Sequence, residues 1–133
     1  VPGLHNIRVN INHLMDLVRD DKQEHCGVML GRVIGQRRFI EEIVRVHNSH
    51  PDPQNHYQIT KEDLLDTIGV DEVPRIVGYA HTHCSFHSPL PSKHDIRATM
   101  PGLIGVVVQI PGSIIFFNHK GVIGSLAEAL RRS

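Results

Sequence analysis

His81-Thr82-His83 sets two imidazoles two residues apart, with Ser92 and the carboxylate of Asp95 a short way downstream. Histidine and carboxylate are ligands for a divalent ion. Three protein ligands leave a fourth position open, which is the arrangement of a catalytic zinc rather than a structural one. The stretch leading in, Arg75 to Ala80, reads as a buried strand. Alternate side chains on a strand share a face, so Val77, Tyr79, His81 and His83 are expected on one side. Same-face neighbours lie roughly 6–7 Å apart, and both rings can lean toward one ion. Pro91-Ser92-Lys93-His94-Asp95 reads as a helix start, with Ser92 as N-cap and Asp95 three residues on completing a capping box. A cap is the ordinary use of such a pair, and a lone His-x-His is ordinarily structural. It is their order that points to a metal site: strand, histidines, a loop with prolines, then a capped helix carrying an acid.

A metal hydrolase also needs a base to take a proton from water. Glu24 stands at the mouth of the apolar run Cys26-Gly27-Val28-Met29-Leu30-Gly31, where its side chain can enter a cleft. The plainer reading is an exposed glutamate in a polar linker. Glu41 and Glu42 compete for the role, but they fall mid-strand, where alternation turns one of them to solvent.

These residues together resemble the signature of the JAMM (MPN-plus) metallopeptidase family: Glu24 ahead of Cys-Gly-Val-Met-Leu-Gly, then His81-Thr82-His83, then Ser92-x-x-Asp95. The resemblance extends to Val46-His47-Asn48, to Tyr57-Gln58-Ile59 as a strand ahead of a helix, and to the apolar strand from Leu103 to Ile110. It covers nearly the whole chain. The loop from Cys84 to Pro91 is one residue longer than the family's usual spacing, and Cys84 stands where the family commonly has proline. The resemblance implies His81, His83 and Asp95 as zinc ligands, Glu24 as general base, and Ser92 as the hydrogen-bond donor to the oxyanion of the tetrahedral intermediate. It also implies an α/β fold, a single JAMM/MPN-like domain over residues 1–133 with a mixed β-sheet sandwiched by helices.

The chain's 133 residues give room for one domain and a self-sufficient core. Fourteen basic and fourteen acidic residues cancel, and there is no basic stripe, so a nucleic-acid partner is not expected. The eleven histidines are the unusual count. His5, His13, His47, His50, His56 and His119 read as scattered and solvated, whereas His25, His87 and His94 lie close in sequence to the proposed site. Two cysteines make no disulfide framework; Cys26 reads as a buried thiol and Cys84 as a small side chain in a loop. The longest apolar run, Leu103 to Phe117, is broken by Gln109, Pro111 and Gly112. Each half is too short for a bilayer, and no signal segment is visible, which points to a cytoplasmic location without a membrane partner.

The remaining elements follow from periodicity and punctuation. Asn10 caps a helix with Ile11, Leu14, Met15 and Val18 at helical spacing. A hairpin joins Cys26–Ile34 to a strand from Arg38 to Asn48 through Gly35-Gln36, glycine first as a type II′ turn prefers. Thr60 and Asp63 cap a second helix holding Leu64, Leu65 and Ile68. Ser92 to Met100 forms a third, stopped by Pro101-Gly102. Strands 103–110 and 113–117 complete the sheet, and Ser125 to Leu130 reads as helix or strand.

Compact members of the resembled family imply a substrate: a peptide or isopeptide bond after the extended tail of a ubiquitin-like or sulfur-carrier protein. The loop 84–91 and the segment 49–59 would line the cleft. Peptidoglycan cross-links and phage-tail assembly proteins are other targets of the same chemistry. A non-catalytic MPN-type scaffold is the alternative from another class, and two histidines with one carboxylate also suit non-haem iron.

Overall fold

The computed structural model describes residues 4–110 and 112–125. Seven strands form one mixed sheet, with three short α-helices among the described residues. In chain order these are β1 (Ile7–Val9), α1 (Ile11–Met15), β2 (Cys26–Ile34), β3 (Arg37–Val46), α2 (Lys61–Ile68), β4 (Ile76–His83), α3 (Lys93–Ala98), β5 (Ile104–Gln109), β6 (Ser113–Asn118) and β7 (Gly121–Ser125). The strand order is β1-β3-β2-β4-β5-β6-β7. Only β1–β3 and β4–β5 run parallel; the other pairs are antiparallel. The histidine strand is therefore central, flanked by the strand that follows Glu24 and by the strand that follows α3.

Local chemistry accounts for the boundaries. The Asn10 side chain accepts from the Asn12 N–H, Thr60 from Asp63 and Ser92 from Asp95, so each helix begins at a side-chain cap. At the β2–β3 turn, Gly35 has φ of +61° while no non-glycine among the described residues has positive φ, as a type II′ turn needs. Two apolar clusters form where alternation sends side chains to opposite faces. Met29, Ile40 and Ala80 meet Leu14 and Leu17 from α1 and the turn after it, and Val28, Leu30 and Val46 meet Leu64 and Ile68 of α2. Gly78 allows the close approach of β5: a Cβ there would lie 1.9 Å from the Ile104 carbonyl oxygen.

Several expectations are corrected. Val77 does not share a face with Tyr79, because the pairing with β2 shifts between Met29 and Leu30 and leaves Val77 as an extra residue. Val77 joins the α1 cluster, while Ile76 and Tyr79 pack with the α2 cluster. Tyr57–Ile59 belongs to no strand, α3 ends at Ala98 rather than Met100, and β3 ends at Val46. Strands β1 and β7 were not foreseen. The tail expected as helix or strand from Ser125 lies outside the described residues, apart from Ser125 itself, which ends β7. No helix of the described residues is long and apolar enough to cross a membrane.

Candidate metal centre

The C-terminal end of β4 carries His81, fully buried, and His83. The first turn of α3 brings Asp95 to them. His81 Nε2 lies 3.2 Å from His83 Nε2 and 3.2 Å from Asp95 Oδ2, and His83 Nε2 lies 3.6 Å from that same oxygen. Ligands at ~2.0–2.1 Å from a tetrahedral ion are separated by about 3.3–3.4 Å, so these three atoms stand at the spacing such an ion requires. Two imidazole nitrogens facing each other at this distance, with a carboxylate beside both, also make a chemically suitable donor set.

The groups around these atoms fix their direction. His83 Nδ1 donates to the Ser88 carbonyl at 2.8 Å, which leaves the Nε2 lone pair turned toward its neighbours. Asp95 Oδ2 accepts from the Ser92 N–H at 2.8 Å, and Ser92 Oγ accepts from the Asp95 N–H at 3.0 Å. The capping box is real, and it is also what aims the carboxylate. The Ser92 hydroxyl uses only acceptor capacity in the cap, so its own hydrogen remains available to the cleft. Burial would raise the Asp95 pKa, but the His81 and His83 rings beside it prevail and hold it well below the usual carboxylate range. Burial lowers the pKa of His81 despite Asp95. For His83, burial also works downward, but Asp95 and the Ser88 carbonyl outweigh it and the pKa is raised.

Glu24 is only 4% exposed. Its N–H donates to the Pro53 carbonyl at 2.6 Å, and its carbonyl accepts from Asn48 Nδ2 at 2.8 Å. A carboxylate oxygen of Glu24 and ring nitrogens of His81 and His83 all lie within 4.8 Å of one another. Burial pushes the Glu24 pKa up to about 7, against the opposing pull of His83. Two carboxylates thus attend the same pair of imidazoles. Asp95 is the closer and holds the tighter triangle; Glu24 stands back and holds protons more readily. Glu41 and Glu42 are exposed and pair with Arg32 and Arg75, away from this cluster.

A cleft of about 390 Å³ opens above these groups, lined by Glu24, His83, Ser92 and Asp95 together with His50, His56, His87 and His94. His50 and His56, read from sequence as solvated bystanders, are therefore cleft residues, with rings 4.8 Å apart. His25 turns instead to Asp20 at 3.2 Å. Cys84 is buried, its thiol 3.6 Å from the Gln54 carbonyl. The loop 84–91 is pinned: Ser85 bonds Asp21 through both its N–H and its hydroxyl, Gln109 Nε2 donates to the Cys84 and His87 carbonyls, and His87 Nε2 meets Asn55 Oδ1. Tyr57, read from sequence only as part of a strand, and Phe117, which no motif singled out, contact His81 directly: Tyr57 stacks at 4.3 Å and Phe117 meets it edge-on at 6.3 Å. Their only sequence signal is aromatic character in a chain with few aromatic residues.

A family profile described as prokaryotic homologues of the JAB domain matches residues 9–123, which takes in every element from α1 to the middle of β7. The chain belongs to that family. This JAB domain is similar in fold to a protein from Desulfitobacterium hafniense solved in solution, with 22% identity and a TM-score of 0.59, over 84% of this chain and 80% of that one. It is similar likewise to a protein from Salinibacter ruber, with 21% identity and a TM-score of 0.54, over the same shares. No curated protein matches it. The wider JAB family includes metallopeptidases, and Glu24, His81 and His83 of this JAB domain could hold a metal ion.

Proposed function

We propose that the protein is a zinc-dependent metallopeptidase of the JAMM type, hydrolysing a peptide or isopeptide bond at the extended C-terminal tail of a ubiquitin-like or sulfur-carrier protein. The observation that carries the reading is the 3.2–3.6 Å triangle of His81, His83 and Asp95 beside a buried glutamate of raised proton affinity. His81, His83 and Asp95 are the residues that would hold the ion. When bound, zinc supplies a Lewis acid that polarises a carbonyl and brings the pKa of water toward ~7. Glu24 then takes the proton from the attacking water at neutral pH and returns it to the departing amine. The Ser92 hydroxyl donates to the oxyanion as the carbonyl carbon becomes tetrahedral.

The tail has a route in. Among the described residues the Tyr57 and Ile59 backbone groups make no hydrogen bond, whereas Gln58 is tied to Asn48 and Ser49. That open edge borders a groove of about 250 Å³ lined by Tyr57, Ile59, Tyr79, Asp95 and Ala98. An extended peptide can pair along it as an added strand. Phage-tail proteins or peptidoglycan cross-links would meet the same groups. Incubation with ubiquitin-like tail fusions, with and without a chelator, tests the proposal: chelator-sensitive cleavage at the tail supports it. Metal analysis separates the other readings, because a scaffold would carry no stoichiometric ion and an oxygenase-type site would carry iron.

A further inference from the structure

His81 and His83 sit two residues apart on one strand, yet they are held by different means. The His83 ring is fixed by the hydrogen bond from its Nδ1 to the Ser88 carbonyl. His81 Nδ1 is buried and has no hydrogen-bond partner among the described residues. A metal-ligating histidine ordinarily takes its orientation from an acceptor on its second nitrogen. The histidine χ2 torsion is broad, so an unrestrained ring would sample planes that turn Nε2 away. Two aromatic rings stand where a restraint is needed. Tyr57 lies against the imidazole with centroids 4.3 Å apart and planes 25° from parallel. Phe117 meets it nearly perpendicular, at 81°. Phe117 lies across β5 because residue 105 is glycine; a Cβ there would lie 2.1 Å from the tip of the phenyl ring.

We infer that Tyr57, together with Phe117, is a positioning residue: ring stacking holds His81 Nε2 toward His83 and Asp95 in place of the missing acceptor. This rests on the reading of His81 as a metal ligand. The electron-rich face of a phenol also favours an imidazole made electron-poor by a bound cation, so the stack should tighten when the site is filled. Tyr57 lines the cleft as well, and turnover alone would not separate positioning from substrate contact.

The test compares wild type, Tyr57→Leu and Tyr57→Phe. It reads zinc affinity by chelator competition, the visible spectrum of the cobalt-substituted protein, and thermal melts of the metal-free proteins. Tyr57→Leu should bind zinc on the order of tenfold more weakly and alter the cobalt bands, while Tyr57→Phe restores both and the metal-free melts stay close. Wild-type affinity and spectrum in Tyr57→Leu would overturn the inference and leave the metal centre standing. A Tyr57→Phe variant as weak as Tyr57→Leu would assign the effect to the hydroxyl and overturn it too. Wild-type protein that binds no zinc would overturn the metal centre and this inference together. Should Tyr57→Leu fail to fold, Tyr57→Met makes the same comparison with a slimmer, unbranched side chain.

Discussion

Glu24 and Asp95 are both buried carboxylates beside the same two imidazoles, and their surroundings separate them. Asp95 accepts from the Ser92 N–H and from His81, which keeps it ionised and aimed. Glu24 is held through its backbone, so its carboxyl is free to gain and lose a proton near neutrality. Glu24→Gln should therefore retain zinc and lose at least ~10² of hydrolytic rate, the ordinary worth of a general base; near-wild-type cleavage of a tail fusion would place the base elsewhere. Asp95→Ala should weaken zinc strongly, as loss of one of three protein ligands requires, and an unchanged titration would reduce Asp95 to a helix cap. Residue types and spacing were enough to nominate both acids, since metal ligands and bases are chemically distinctive. They could not nominate Tyr57 or Phe117, whose contacts with His81 depend on where the segment before α2 passes β4 and on Gly105 leaving room for the β6 ring across β5.

The elements that carry these residues depend on a few local devices. Ser92 starts α3 and faces the cleft, so Ser92→Ala should act twice. Loss of the cap costs about 0.5–2 kcal/mol of stability, read in a denaturant melt, and loss of the oxyanion donor should slow turnover ~10²–10³-fold while zinc still binds. Gly105→Ala should destabilise by about 1–3 kcal/mol because the Phe117 ring fills the space a Cβ needs; an unchanged melting temperature would show that the ring moves freely. Caps and turns were legible because Asn10, Thr60 and Ser92 stand at the helix starts and Gly35 at the hairpin. The bulge at Val77 was not, because an apolar residue suits either face of a central strand buried on both sides. Tyr57–Ile59 reads as a strand by residue type, but its Gln58 groups are taken by Asn48 and Ser49, and it joins no strand of the sheet. Strands β1 and β7 are short and at the sheet edges, where three to five residues give alternation little to show.

At the scale of the molecule, a single mixed sheet draws the cluster together from three distant stretches: the lead-in to β2, the end of β4 and the start of α3. Metal bound only to the folded state adds stability by mass action, about 2.7 kcal/mol at a hundredfold excess over Kd. Chelation should accordingly lower the melting temperature by roughly 10 °C, and melts that coincide with and without chelator would argue against a resident ion. The side-chain ties between Asp21 and Ser85, and between Asn55 and His87, have a consequence for restraint. They brace the loop whose His87, Ser88, Leu90 and Pro91 line the cleft beside Glu24, itself nearly buried. Under the peptidase reading, a slender, unfolded appendage is the form in which a bond meets a carboxylate so little exposed. Folded neighbours, which present no such appendage, would be spared by that burial alone.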